Sequence, residues 1–536
     1  MLNASKQRYR FRFVVPAFSE FNIYTSVANM TTALGPVCVA TAAGKVDRWD
    51  VEIIDENNLG REGPRMIAPK RGADHSILQS IRSADVVGLY GGLTSTIPRL
   101  YEVASFYKNA GVVTVAGGQH FADGENVEEA LDSGVDYIVV GEGEEAIQEL
   151  LSALTGGRAL DSVQGLVYRE GGVTKRNRPR VLLTSFEHLP LPDFSLVRYA
   201  RMRLYPVERI RGCGMECEFC TVRGRPRCAS PERLMEHIST LVETRNARVF
   251  FVVDDLFGQQ REETIRFCEM LRDYQKAIGR RLMFNVQIRL DKARDTQLLT
   301  VMREAGVNFL AIGFESPIEE ELKAMHKKIK PQEMVELARI YHKHGFWVHG
   351  MFIFNYPMAD GAVVTLPLKD RVKAFRRFFR QAKIDTIQVL LPVPLPATEL
   401  RARLMKQGRV YPKDQVGWEY YDGNFPLFEP DPPNKPLEIQ DAAVKQIMGG
   451  FYRFRHMFVV GAQILSFPVM VFYLGDLQLG WGRWYRTWRN AILRFGGSFI
   501  VRGWKSRFNK DPFSDKLRSA QKLLAPASQS ATTTPH

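Results

Sequence analysis

Three cysteines stand in the run Arg211-Gly-Cys213-Gly-Met-Glu-Cys217-Glu-Phe219-Cys220-Thr221, three of the six in 536 residues. Spacings of four and then three bring three thiolates around one centre from a tight loop. Thiolates are soft donors that favour iron–sulfur clusters or zinc. A closed zinc site needs a fourth ligand, usually from a second Cys or His pair at a fixed distance. No such pair follows, and the nearest later candidates, Cys228 and His237, fall in no knuckle pattern. Three cysteines on a four-iron cluster leave one iron open for a substrate or cofactor. The bland alternative, three structural thiols, accounts less well for the clustering.

The C-x3-C-x-aromatic-C pattern, with Phe219 as the aromatic, resembles the signature of the radical SAM enzymes. In that family the open iron chelates the amino and carboxylate groups of S-adenosylmethionine (SAM), and reductive cleavage gives a 5′-deoxyadenosyl radical. The resemblance implies Cys213, Cys217 and Cys220 as ligands of a [4Fe-4S] cluster, Phe219 beside SAM, and an external electron donor as partner.

The elements that position this loop follow from hydrophobic patterning, and the fold class expected is α/β. Phe11–Pro16, Val51–Asp55, Asp85–Tyr90, Val112–Ala116 and Asp136–Val140 read as strands buried on both faces. Tyr24–Ala43, Ile77–Ser83, Ile97–Ala110, Val127–Asp132 and Ala146–Leu154 read as the helices between them. Such alternation predicts a doubly wound parallel sheet over residues 1–157. Ligands of such sheets bind beyond the carboxyl ends of the strands. Those ends carry Gly91-Gly92-Leu-Thr94-Ser95, Gly117-Gly118-Gln-His120 and Gly141-Glu142-Gly143-Glu144, where glycine lets backbone approach a large flat ligand.

In this order, ahead of the cysteines, these turns resemble the flavodoxin-like cobalamin-binding domain of the B12-dependent radical SAM subfamily, with its Gly-Gly-x-His turn and its Asp-Tyr-x-Val-x-Gly-Glu-Gly-Glu run at Asp136–Glu144. The resemblance implies cobalamin at Gly91, Gly92, Thr94, Ser95, Gly117, Gly118, His120, Gly141, Glu142 and Gly143. His120 has a second reading, that of tying down its own loop, and the domain as a whole has the alternative of being vestigial. The Asp-x-His-x-x-Gly motif that supplies a lower axial ligand is absent: Asp55-Glu-Asn-Asn-Leu-Gly60 has Asn57 in the histidine's place.

Residues 158–200 read as a β-hairpin (Val163–Arg180) and a proline-punctuated linker at Leu189-Pro-Leu-Pro-Asp193. Strand–helix alternation then resumes over residues 201–396. Strands are expected at Val207–Arg211, Arg248–Val253, Leu282–Ile288, Val307–Ile312, Val348–Phe354 and Thr386–Leu391, with helices between them. Six such units resemble the partial (β/α)6 barrel of radical SAM enzymes, whose chemistry sits at strand carboxyl ends. The residues there, Asp254, Asp255, Gln287, Arg289, Glu315 and Ser316, are by that resemblance candidates for holding SAM, although the Gly-Gly-Glu motif common at the second strand is missing. Each has a structural alternative: the Asp pair as a helix cap, Glu315 as the partner of an Arg. Cys228 and Cys268 read as buried small residues, and His349 as a structural strand residue.

Residues 397–524 change character towards a mainly helical, basic and aromatic region, and residues 525–536 read as a disordered tail. Met457–Leu474 is uncharged, at the lower limit for a membrane span. Asp476–Lys510 holds eight Lys or Arg with one acid, together with Trp481, Trp484, Trp488 and Trp504. Tryptophan and arginine beside an apolar stretch read as a membrane surface, against packing on the barrel or nucleic-acid binding, which is the least favoured. The net charge of +14 fits an anionic partner. Unpatterned cysteines and the lack of an apolar signal-peptide core predict a reduced cytoplasmic setting, with association at the inner membrane face.

The function expected is cobalamin-dependent C-methylation of an unactivated carbon by a radical SAM enzyme, on a small-molecule or lipid, isoprenoid-like substrate. A radical cyclase or C–C coupling enzyme without methyl transfer, and an RNA-modifying enzyme, are the alternatives.

Overall fold

The computed structural model describes Leu2 and residues 6–67, 71–222, 224–359, 366–473 and 477–529, without the side chains of 26, 463, 466–473, 477–487 and 525–529. It forms two units. One comprises Met1–Phe284, Pro394–Arg403 and Gly417–Asp422; the other comprises Asn285–Val393, Leu404–Val416 and Gly423–His536.

The first unit opens with β1 (Tyr9–Val15), β2 (Trp49–Asp55), β3 (Val86–Tyr90), β4 (Val113–Gly117) and β5 (Tyr137–Val139). They pair in parallel in the order β5-β4-β3-β1-β2, the flavodoxin-like order. The sequence expectation of a parallel doubly wound sheet therefore holds. The hairpin assigned to the linker does not belong there: β6 (Leu166–Glu170) and β7 (Val173–Arg176) extend the same sheet antiparallel from β5. On the other edge β8 (Val197–Arg198) pairs with β2. The edge strands were misplaced because their alternating exposure matches a free hairpin as well as a sheet margin.

The helix expected over Tyr24–Ala43 is broken into Thr25–Ala28 and Leu34–Ala43. Pro36 lies in the first turn of the second piece, where its missing N–H costs nothing. The first barrel strand also divides. β9 (Tyr205–Val207) pairs in parallel with β12 (Val249–Phe257), whereas β10 (Ile210–Arg211) turns aside to an antiparallel ribbon with β11 (Arg227–Cys228). β13 (Met283–Ile288) carries the chain from the first unit to the second.

In the second unit β14 (Val307–Glu315), β15 (Trp347–Ile353) and β16 (Thr386–Leu390) are parallel, with helices Pro331–Lys343 and Leu368–Gln381 between them. His349 is structural, as expected: it lies in β15, 2.9 Å from the Thr386 hydroxyl, with burial lowering its pKa to about 4. Helices His456–Tyr473 and Leu477–Phe508 pack on each other, and no helix among the described residues is long and apolar enough to cross a membrane. Of the four tryptophans expected at a membrane surface, Trp504 is instead buried against Phe508. The tail expected to be disordered from Ala525 is helical to Gln529, and 530–536 lie outside the described residues, as do Leu474, Gly475 and Asp476.

The first sheet encloses a charged pair. Arg12, fully buried on β1, donates to Glu52 on β2 at 2.8 Å, to the Tyr107 hydroxyl at 2.8 Å and to the Leu78 carbonyl at 3.1 Å. Glu52 also pairs with the partly exposed Arg82 at 2.8 Å, so Arg12→Leu leaves it one cation and should cost about 3 kcal/mol, the low end for a broken buried pair. A urea midpoint that stays at the wild-type value would show that Arg82 alone satisfies Glu52.

Candidate functional site

The cysteine loop, residues 212–226, joins β10 to β11 and has no strand or helix among its described residues. Two glycines shape its start. Gly212 has φ +91° and Gly214 φ +71°, and a Cβ at Gly212 would lie 2.8 Å from the Arg225 carbonyl oxygen. Amides entering the loop need acceptors, and the end of β12 provides them. Asp254 Oδ1 accepts from Arg209 N at 2.6 Å and Ile210 N at 2.9 Å, and Asp255 Oδ2 accepts from Gly212 N at 2.6 Å. Burial raises the carboxyl pKa of both, Asp254 to about 7 against the pull of those two amides. Asp254 Oδ2 is buried with no hydrogen-bond partner. The Asp pair thus holds the loop; it caps no helix.

Two further anchors grip the loop. Glu218, between the cysteines, binds Arg403 at 2.5 and 3.0 Å, and its carbonyl accepts from Leu400 N at 3.1 Å. Arg211, two residues before Cys213, reaches Glu144 at 2.7 Å, Glu208 at 2.6 Å and Glu142 at 3.4 Å, and lies over the Phe186 ring. Burial opposes its charge, but Glu208 and Glu144 outweigh that and hold it protonated. Arg227 on β11 binds the same Glu142 at 2.7 Å. Cys217 is buried and Cys213, Phe219 and Cys220 are partly exposed.

Beside this junction is an apolar cavity of about 240 Å³. One face of the sheet floors it with Phe11, Phe13, Gly88, Val115, Gly117 and Val139; the helices Leu34–Ala43 and Gly143–Leu154 roof it. Glu144, Glu208 and Arg211 complete its lining.

The predicted glycines fall into two overlapping groups, with Gly118 in both. Gly117, Gly118, Gly141 and Gly143 line the cavity, and Gly141, at φ +103°, has nothing within 4 Å of a built Cβ. Gly91, Gly92 and Gly118 let protein approach protein: their Cβ atoms would meet Phe121 at 2.3 Å, Tyr90 at 2.1 Å and the Gly91 backbone at 2.5 Å. This corrects the expectation that all of them clear room for a ligand. Thr94 and Ser95 are buried in a short helical turn and His120 lies outside the cavity lining. His120 ties loops together: its Nδ1 is 3.3 Å from the Thr94 hydroxyl, its amide donates to Gly91, and its ring meets Trp418 edge-on. Glu142 is spent on Arg211 and Arg227. Asn57 bonds the Pro16 carbonyl and the Phe18 amide, linking the ends of β1 and β2.

In the second unit Gln287 is in β13 and Arg289 follows it, paired with Asp291 at 2.9 Å. Glu315 ends β14 at a bulge, at φ +62°, and binds Lys327 at 3.1 Å, a lysine rather than the arginine anticipated. Ser316 is fully buried; it bonds Glu321 and accepts from Ile318 N at 3.1 Å, while Glu321 pairs with Arg371. Its polar capacity is consumed within the fold.

Family comparison matches the Radical SAM superfamily over residues 207–361 and the B12 binding domain over 23–151. The chain belongs to the cobalamin-dependent radical SAM enzymes. An uncharacterized methyltransferase of Pyrococcus horikoshii is 28% identical over 59% of this chain and 68% of its own length. The hopanoid C-2 methylase of Rhodopseudomonas palustris is 27% identical over 52% of this chain, which spans half of that protein. An anaerobic magnesium-protoporphyrin IX monomethyl ester cyclase of Rubrivivax gelatinosus is 23% identical over 68% and 65%. Among solved structures, the radical SAM methyltransferase TsrM of Kitasatospora setae superposes with a TM-score of 0.62 over 83% of this chain and 90% of its own, at 16% identity.

The residues present fit the groups that this radical SAM enzyme's two domains imply. The described residues bring no three His, Cys, Asp or Glu side chains together as ligands of one ion; a cuboidal cluster seats each thiolate on a separate iron and does not require that. The cavity in the first sheet is an apolar slot with glycine along its wall, suited to a flat ring of cobalamin. Sequence reasoning missed Arg211, Arg403 and the roof residues Gly35, Pro36 and Val39. The arginines' partners are distant in sequence, and the roof carries no motif.

Two outcomes follow from this geometry. At Gly35 a built Cβ meets only Tyr90, at 3.9 Å. Gly35→Leu should therefore fold normally, fill part of the cavity and reduce cobalamin retained after gel filtration at least tenfold; undiminished corrin absorbance would place the cofactor elsewhere. Asp254 has a folded pKa raised from 3.8 to about 7. Its contribution to stability is full below pH about 4 and is lost as pH rises through about 7. Asp254→Asn has no such proton to lose, so its stability relative to wild type should climb between those limits by roughly 4 kcal/mol at most. A difference in unfolding free energy that is flat from pH 4 to 8 would contradict the raised pKa.

Proposed function

We propose that this enzyme methylates an unactivated carbon of a lipid- or isoprenoid-like small molecule. Bound together, a [4Fe-4S] cluster, SAM and cobalamin supply reductive SAM cleavage, hydrogen abstraction and methyl transfer. The chain's own residues keep the two centres in one frame. The observation that carries the reading is the Arg211 junction: a single guanidinium, two residues before the first cysteine, forms part of the cavity wall and is bound by Glu142 and Glu144 of the B12 domain. Asp254 and Asp255 fix the start of the cysteine loop from behind, and Glu218 with Arg403 fixes its middle. Cys213, Cys217 and Cys220 would hold the cluster. Gly117, Gly141 and Gly143, with Val39 and Val139, would hold cobalamin.

The hopanoid C-2 methylase among the relatives supports methyl transfer to a lipid skeleton, and the cyclase relative supports the second reading, ring formation without methyl transfer. The external electron donor and association with a membrane surface belong to the same proposal. Anaerobic turnover with labelled SAM and a lipid extract separates the two reactions. Methylation should give S-adenosylhomocysteine together with 5′-deoxyadenosine and a labelled lipid. Replacing Cys213, Cys217 and Cys220 by Ala together should abolish iron loading and both products. Accumulation of 5′-deoxyadenosine alone, with the substrate consumed, would transfer the assignment to cyclisation.

A further inference from the structure

The second unit contains a larger cavity, about 840 Å³, between the C-terminal ends of the helices Pro331–Lys343 and Leu368–Gln381, residues 447–456, and the helix Leu477–Phe508. Among the described residues, nine of its lining side chains are Lys or Arg and one is a carboxylate, Asp385. That carboxylate is already committed, taking Arg489 Nη2 at 2.7 Å and the Val348 amide at 2.8 Å. Lys343, Arg376, Arg380, Lys383, Arg453 and Arg455 thus face the cavity with no second acid among its described lining residues. Burial keeps His342 and His456 below the usual imidazole pKa, so neither adds charge near neutrality. Cations this dense repel one another unless an anion sits among them.

The rim carries a second signal. Arg453 and Arg455 flank Phe454, 40% exposed, and the chain enters the helix His456–Tyr473 with Phe458 70%, Ile464 58% and Leu465 80% exposed. Phe499 on the neighbouring helix is 6.0 Å from Phe454 and 54% exposed. A contiguous apolar strip of this kind marks an interaction surface. Free phosphate would use the cations and gain nothing from the strip. An anionic bilayer uses both, headgroups on the arginines and acyl chains on the aromatics.

We propose that this cavity receives the anionic headgroup of a membrane phospholipid, with Phe454, Phe458, Ile464 and Leu465 entering the acyl boundary. The protein then lies on the membrane without crossing it. The inference rests on the membrane association proposed above and gives it a site, and its failure is distinguishable from failure of the methylation reading because binding is measured without turnover.

Flotation of the full-length protein on vesicles tests it. Phosphatidylcholine vesicles containing phosphatidylglycerol should carry the protein at low salt, and phosphatidylcholine alone should leave most of it behind. Arg380→Gln combined with Arg455→Gln, both exposed positions, should weaken binding about thirtyfold with an unchanged thermal midpoint. Phe458→Ser should weaken it as well while keeping the same dependence on salt, since burial of apolar area is not screened. Equal flotation of wild type and the double variant would overturn the proposal. So would protection by inorganic pyrophosphate against thermal unfolding without any vesicle binding, which would reassign the cavity to a soluble phosphate.

Discussion

The structure around the cysteines depends on one constraint: a loop without regular secondary structure must have its backbone amides satisfied by something rigid. The carboxylates at the end of β12 meet it. Asp254 and Asp255 are carried by a strand that pairs with β9, so the loop inherits the register of the sheet. A bond from an amide to a carboxylate contributes about 1.5–3 kcal/mol where the acceptor is ionised, and burial works against that ionisation at Asp254. The result is stiffness obtained at some expense of stability. The same logic explains Glu218, buried yet paired with Arg403 in a two-pronged contact that holds the loop between Cys217 and Cys220.

Through Arg211 this constraint extends to the first domain. Glu142 and Glu144 follow β5 in a turn opened by Gly141. Glu144 also begins the helix that roofs the apolar cavity, so displacement of that helix is felt at the guanidinium that leads into the cysteines. A ligand group that fits this apolar cavity of about 240 Å³ would pack against both sheet and helices. Filling it would stabilise the roof and, through the ion pairs, the entry to the loop. Loading of the first domain and order in the cysteine loop are on this account thermodynamically linked.

The sequence made the three thiolates legible because their chemistry is encoded in short spacing, and the five parallel strands legible because buried strands are long apolar runs. What it concealed lies in contacts between distant residues. Arg211 and Glu144 are 67 positions apart, and Arg403 and Glu218 are 185 apart. No local pattern distinguishes such an arginine from a solvated one. The glycines misled for a related reason. Gly91 and Gly92 have the same local signature as Gly141, but a Cβ at the first two would meet the Phe121 and Tyr90 rings, whereas one at Gly141 has nothing within 4 Å. Asp254 and Asp255, which resemblance made candidates for holding SAM, accept the amides that lead into the cysteine loop, a contact that no local pattern announces.

The C-terminal region shows how charge read along a chain differs from charge gathered in space. The sequence drew attention to the basic residues between Asp476 and Lys510; among those whose side chains are described, Arg489 and Arg494 line the large cavity. Several of the other cations, Lys343, Arg380 and Lys383 among them, come from the ends of barrel helices, where positive charge complements the helix dipole and is ordinary on its own. A dipole explains a lysine at a helix end; it does not explain two helix ends, a loop and a fourth element turning their cations onto one hollow with a single, already paired, carboxylate among its described lining residues. That convergence, continued by an exposed apolar strip from Phe454 to Leu465, is what separates a surface built to meet an anionic layer from the scattered basicity of a protein with net charge +14.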